Sequence, residues 1–349
     1  MAVACAAHDG HRAHKRVTEI VNVPLVSVII PVYQGEHIIA GAVRSVLRQT
    51  YRNLEVVVVD DGSTDATQGV LAEIADARLR IMWQPNAGTA VARNTALEHV
   101  RGEFIAFLDS DDRWLPDKIA IEMQTLQSAP AAIGVAYSSY FAVDDRGRLL
   151  NLAPLRTSSG NVHDELLDGD DYLMPSLCLF DRRIFESIGN FNIERYHEDH
   201  EFILRVSRKF PVFATGKRLA IYRQSTSGKC RAILADFERA RSEELSLLQD
   251  LHDVLSSEQL ERLRRNVLRS LYCRFLMYGF NDYARKIVAD VDLSSLRTNK
   301  KGVLAFVFAK TGINLLYVAR FIIQTYYLVA RRGWWNRRLA AAGMMLGYD

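Results

Sequence analysis

The chain has 349 residues, 49% hydrophobic and 24% charged, with a formal net charge of only +3. That is the make-up of a globular enzyme with a large core and room for two domains, and no nucleic-acid partner is expected. Four scattered cysteines (Cys5, Cys178, Cys230, Cys273) have no paired spacing, so neither a zinc site nor a disulfide framework is expected, and reduced thiols are.

Residues 1–22 carry His8, Asp9, His11, Arg12, His14, Lys15 and Arg16 and no apolar core segment. They read as a disordered polar tail and not as a secretory signal, and the histidines lack acid or thiol partners at ligand spacing. Val26 to Val32 is then a buried strand run, ending at Tyr33. A helix is predicted over about 38–48. Glu55 to Val59 is a second strand run, delivering Asp60-Asp61-Gly62-Ser63-Thr64-Asp65. Helices are predicted over about 64–75 and 89–99. Phe104-Ile105-Ala106-Phe107-Leu108 is a third strand run, releasing Asp109-Ser110-Asp111-Asp112. Such β-α alternation predicts a parallel sheet with right-handed crossovers. Parallel strands point their carboxyl ends one way, so Tyr33, Asp61 and Asp111 should meet at one crevice, where open α/β sheets bind ligands. Two carboxylates one residue apart can share one hard cation, which in turn suits a diphosphate. Asp112 is set apart, as a residue that holds the turn or begins the helix entered through Leu115-Pro116-Asp117-Lys118. Asp170, Asp171 and Asp181 read as solvated acids.

Helical spacing returns over Asp236 to Leu255, and Ser256 with Gln259 is spaced as a capping box for a further helix. Tyr272, Phe275, Leu276 and Tyr278 read as packing residues. From 293 to 348 there are nine Lys and Arg residues and no acid, so the rest of the chain is net acidic. From Gly302 to Ala330 the only charged residues are Lys310 and Arg320. Arg320 would sit mid-span in a transmembrane helix, at a cost of about 2.5–3.5 kcal/mol. A basic amphipathic segment lying on a membrane surface, with Trp334 and Trp335 at the headgroups, is preferred. A helix packed on the enzyme's own core is the alternative.

Taken in order, Ile30-Pro31-Val32-Tyr33, Ser45 to Tyr51, Val59 to Asp65, Asn86-Ala87-Gly88, Ala92-Arg93-Asn94 and Gly102 to Asp112 resemble a family 2 glycosyltransferase over roughly residues 25–225, with Glu198-Asp199 similar to its later acid pair. The resemblance implies an α/β fold: a GT-A-type, Rossmann-like sheet with a parallel core and mixed edge, flanked by helices and followed by an α-helical C-terminal region. It divides the chain into a tail (1–22), a GT-A domain (23–232, with a nucleotide-sugar half 23–128 and an acceptor half 129–232) and a helical region (233–349). It implies an inverting, Mg²⁺- or Mn²⁺-dependent enzyme, with a nucleotide-diphosphate sugar as donor and a saccharide or lipid-linked saccharide as acceptor.

By the same resemblance Pro31 and Tyr33 line the base pocket, and Asp61 accepts from a base, favouring uracil. Arg93 is directed at base or phosphate. Asp109 approaches ribose and metal, Ser110 fills the variable middle position, and Asp111 binds metal. Asp199 is the catalytic base, with Glu198 and His197 toward the acceptor. Met174 to Phe191 resembles the acceptor-side region, with Gly189 at an uncrowded turn. The implied location is cytoplasmic, at the inner membrane face, with peripheral contact through the tail. Three rivals stay open: a polyprenyl-phosphate glycosyltransferase, a nucleotidyltransferase and a non-catalytic scaffold. The second lacks its glycine-rich, arginine-bearing loop, because Pro31-Val32-Tyr33-Gln34-Gly35-Glu36 does not supply one.

Overall fold

Among the residues that the computed structural model describes (23–168, 172–193, 197–224 and 233–291), nine strands form one sheet. Both predicted tails, Asp170, Asp171, Cys5 and Cys230 lie outside these residues; Cys178 and Cys273 are free thiols. The strands are β1 (Val26–Val32), β2 (Leu54–Asp60), β3 (Leu79–Trp83), β4 (Phe104–Phe107), β5 (Arg113–Trp114), β6 (Val135–Val143), β7 (Leu149–Leu152), β8 (Cys178–Asp181) and β9 (Val212–Arg223). Their order is β3-β2-β1-β4-β8-β6-β9-β5, with β7 paired to β6. The first four are mutually parallel, whereas β8 runs antiparallel to β4 and β6. This is the expected parallel core with a mixed half.

β1 and β2 are buried at every position, which is why they read as unbroken apolar runs instead of alternating ones. Two hydrophobic clusters cover the two faces of the sheet. Ile29, Val57 and Phe107 belong to one, Val28, Val56 and Ala106 to the other. Burial of each such side chain favours folding by about 1.5–3 kcal/mol. Two of the polar exceptions are paired: Ser27 donates to Glu55 at 2.6 Å, and Arg101 grips the same carboxylate.

β3 was missed because Leu79-Arg80-Ile81-Met82-Trp83 lies at the sheet edge, with no residue fully buried. The second predicted helix shrinks to α2 (Thr67–Ala72), following α1 (Ile39–Leu47). Thr64, Asp65 and Ala66 are instead tied to the loop after β1: Thr64 N and Asp65 N donate to Gln34 Oε1, and Ala66 N donates to Glu36 Oε2. Asp181 is buried and not solvated. It accepts from Arg183 N at 3.0 Å, opening the helix after β8, and pairs with the Arg183 guanidinium.

The remaining helices in chain order are α3 (Thr89–Leu97), α4 (Lys118–Gln127), α5 (His163–Leu167), α6 (Arg183–Ile188), α7 (Glu198–Lys209), α8 (Phe237–Asp250), α9 (Ser257–Tyr278) and α10 (Asn281–Ile287). The capping box appears as predicted, with Ser256 and Gln259 each bonding the other's backbone, and α9 stops at Gly279 at φ +83°. The side chains of α8 and α9 divide between two clusters. Leu247, Leu251, Leu255, Leu263 and Val267 of the α8–α9 region join the cluster containing Phe107 and Phe202, while Leu271, Tyr272, Phe275 and Leu276 pack a separate cluster. Arg262 in α9 adds a two-pronged bond to Asp168 and a bond to Asp164. No described helix is long and apolar enough to cross a membrane.

Candidate active site

β1 outruns β4. Their pairing ends at Ile29–Phe107, while β1 continues against β2 to Val32–Asp60. Pro31, which has no N–H to offer, thus lies where a strand is needed on one side only. A cleft of about 740 Å³ opens there. It gathers Pro31, Tyr33, Asp61, Arg93, Asp109, Ser110, Asp111, His197, Glu198 and Asp199 in one wall-to-wall set. Every residue named from the sequence as a site candidate lines it.

At one end Tyr33 stands 52% exposed at the mouth. Asp61 is buried, and its carboxylate accepts from Gln84 Nε2 (2.7 Å), Ala87 N (2.9 Å) and Gly88 N (2.8 Å). It therefore ties the tip of β2 to the 86–88 loop. Gly62 makes the tie possible. Its φ is +79°, and a Cβ there would stand 2.6 Å from Asn86 N. Gly62→Ala is expected to displace this loop, with about 1–2 kcal/mol of backbone strain in addition to the clash. Calorimetry should show weaker nucleoside-diphosphate binding; unchanged affinity would separate the loop from the base pocket.

In the middle, the acid turn follows β4. Asp112 closes it (Asp112 N to Asp109 O, 3.0 Å) and pins it to β9 by accepting from Arg223 N at 2.8 Å. It holds the turn and does not begin a helix. Burial, reinforced by Asp109 and opposed by Arg223, pushes the Asp111 carboxyl up to about 6. Burial raises Asp112 as well. A crowded, partly desolvated carboxylate pair of this kind is relieved by a cation. Among the described residues no three His, Cys, Asp or Glu side chains form a ready-made metal cluster. The donor set thus fits a Mg²⁺- or Mn²⁺-type ion held by one or two carboxylates, with the other ligands coming from phosphate and water.

At the other end α7 presents Glu198 and Asp199 in its first turn, where the backbone N–H groups favour negative charge. Arg93 joins the two ends. Reaching from α3, it is 2% exposed, donates Nη2 to Asp109 Oδ1 at 2.9 Å, donates Nη1 to Asp199 Oδ1, and lies 3.8 Å from Glu198. Its guanidinium also sits 5.2 Å from the Phe191 ring. Burial works against its charge, but Asp199, Asp109 and Glu198 outweigh that and raise its pKa. In the structure Arg93 bridges the acid turn after β4 to the first turn of α7. Its neighbour Asn94 exchanges hydrogen bonds with the Phe191 backbone (2.8 and 3.0 Å), seating the acceptor-side loop on α3. Gly189 in that loop is required by its φ of +79°, since nothing crowds its Cβ position.

Several residues were not anticipated. Gln84, just past the end of the unpredicted β3, holds Asp61. Tyr222 and Arg223 come from the end of β9, and Leu173 and Met174 add an apolar wall. Arg274 enters from α9, a helix read only as packing. It pairs with the buried Glu244 of α8, whose Oε1 is also 3.3 Å from His197 Nε2. Burial would raise the Glu244 carboxyl, yet Arg274 and His197 prevail and hold it at about 2.

A parallel half joined to a mixed half around an acid-lined cleft is the GT-A fold. Residues 27–189 match the family model Glycosyl transferase family 2. Among curated relatives, the UDP-Glc:alpha-D-GlcNAc-diphosphoundecaprenol beta-1,3-glucosyltransferase WfgD of Escherichia coli is 43% identical over 122 residues, 35% of this chain and 47% of that protein. The chain spans half or less of the length of the curated relatives it matches first. Among solved structures, S. aureus TarS 1-349 in complex with UDP-GlcNAc superimposes with a TM-score of 0.57 at 19% identity, over 88% of this chain and 92% of that one. The mannosyltransferase PcManGT from Pyrobaculum calidifontis, in complex with GDP-Man and Mn²⁺, gives 0.54 at 18% identity, over 89% and 87%. At these identities the two structures speak to the fold.

Proposed function

We propose that the protein transfers a sugar, with inversion, from a UDP-linked donor to a lipid-linked saccharide during assembly of a cell-surface glycan. The observation that carries this reading is the single cleft in which Asp61, the Asp109–Asp111 turn and Asp199 are collected, with Arg93 spanning from the turn to Asp199. The names of WfgD and of the TarS complex support a UDP-sugar donor, and that of WfgD a lipid-diphosphate acceptor.

In this reading the Tyr33 ring stacks on the base, and Asp61, already fixed by three donors, turns its remaining lone-pair capacity to the base edge. Asp109 and Asp111 hold the divalent cation. When bound, that cation supplies charge neutralisation for the departing diphosphate. Asp199 accepts the acceptor hydroxyl proton as that oxygen attacks the anomeric carbon on the face opposite the diphosphate. Glu198 and His197 flank the acceptor. The basic tail from residue 293 would keep the enzyme at the cytoplasmic face of a membrane, where a lipid-linked acceptor resides.

Thermal-shift titration tests the donor side. UDP with Mn²⁺ is expected to raise the melting temperature, by about 2.7 kcal/mol of stabilisation at 100 times Kd, and EDTA is expected to remove most of that gain. Equal shifts with and without the ion would remove the cation from the reading, and a shift by GDP but not UDP would remove uracil. Transfer to a polyprenyl phosphate bearing no sugar would replace the saccharide acceptor with the bare lipid phosphate.

A further inference from the structure

We propose that Glu244 and Arg274, both outside the residues matched by the family, are positioning residues that hold the first turn of α7, and through it Asp199, in its working place. The proposal rests on the reading of Asp199 as the base. The first turn of a helix has unsatisfied N–H groups and frays unless something fixes it. α7 is not fixed by its own N-cap: the His197 side chain makes no capping hydrogen bond. The ring is turned instead toward α8, with Nε2 3.3 Å from Glu244 Oε1. Glu244 is buried and ion-paired to Arg274 of α9, which reaches the cleft wall. The helices supplying this pair are anchored in the core by Leu247, Leu251 and Val267. They are therefore a firm support, while His197 O accepts from Glu201 N at 3.0 Å inside the turn that presents Glu198 and Asp199. Arg93 grips Asp199 from the α3 side, and the Glu244–Arg274 pair restrains the same turn from the α8–α9 side.

The test compares Glu244→Gln, Arg274→Met and the double variant. The double variant removes both charges and so avoids leaving one buried without its counter-ion, which keeps the fold readable. Arg241→Gln, on α8 but paired to Asp290 away from the cleft, serves as the control. All three cleft variants are expected to lower kcat for transfer by about 10- to 100-fold, the scale of a small misplacement of a reacting group. The double variant should be no worse than the singles, and UDP affinity and acceptor KM should be retained. Amide exchange at Glu201 and Phe202 should speed up in all three, with exchange in α3 unchanged. Wild-type kcat with unaltered exchange in the double variant would overturn the proposal. So would a rise in acceptor KM confined to Arg274→Met, which would make Arg274 a direct acceptor contact. The exchange measurement does not depend on activity. A protein inactive with every sugar nucleotide but showing the exchange pattern would thus keep the restraint and discard the reading of Asp199.

Discussion

Asp199→Asn is expected to reduce sugar transfer by about 10²–10⁴-fold while leaving UDP and cation binding intact. The amide keeps the size of the carboxylate and can still accept from Arg93, so the bridge to Asp109 survives in outline. What it loses is the ability to take a proton from an attacking hydroxyl. The Asp199 side chain is 43% exposed toward the cleft, unlike buried Asp61 and Asp112, so it can meet an acceptor without a rearrangement of the core. The measurement is kcat from nucleotide release, beside calorimetric titration of UDP. Full activity in this variant would move the base elsewhere, with Glu198 the next carboxylate along the turn.

The second large effect concerns stability. Arg93→Met removes the buried cation that faces Asp109, Asp199 and Glu198 and leaves these acids to repel one another. Breaking a buried pair by deleting one partner costs about 3–5 kcal/mol. For a domain of this size that corresponds to roughly 6–20 °C in melting temperature. Arg93→Lys should recover little. A guanidinium offers separate N–H groups to two carboxylates on different elements, whereas an ammonium is a point charge that serves one of them well. Urea unfolding of both variants checks this, and a wild-type midpoint for Arg93→Met would show that the bridge contributes nothing to the folded state.

The parallel half was legible because β1, β2 and β4 are buried on both faces and so appear as apolar runs, and because parallel strands deliver their trailing residues to one edge. Asp61, Asp109, Asp111 and Tyr33 could be placed together on that ground alone. The edge strand β3 was not, since half-exposed Arg80 and exposed Trp83 break the pattern. Much of Asp60 to Asp65 looked like chemistry, yet Ser63, Thr64 and Asp65 are spent on joining the loops after β1 and β2. The role of Arg93 was hidden for a different reason. Its partners lie 16 and 106 residues away, in the turn after β4 and in α7, and only the folded sheet brings them to it. Arg274 and Glu244 carried no local signal at all. Each is one charged residue on an amphipathic helix, indistinguishable in the sequence from a solvated one.

The leucines of α8 and α9 that fill the same interior as Phe107 and Phe202 bear on how this molecule can be divided. A recognisable motif block and an autonomous folding unit do not coincide here. A polypeptide stopped at Gly189 would keep Tyr33, Asp61 and the acid turn, but it would lack β9, Asp199 and the apolar plugs that close one face of the sheet. Recombination or shortening of the gene at that point would yield sticky, incompletely sealed protein, so inheritance of the activity as a module requires the stretch through Val291 to travel with it.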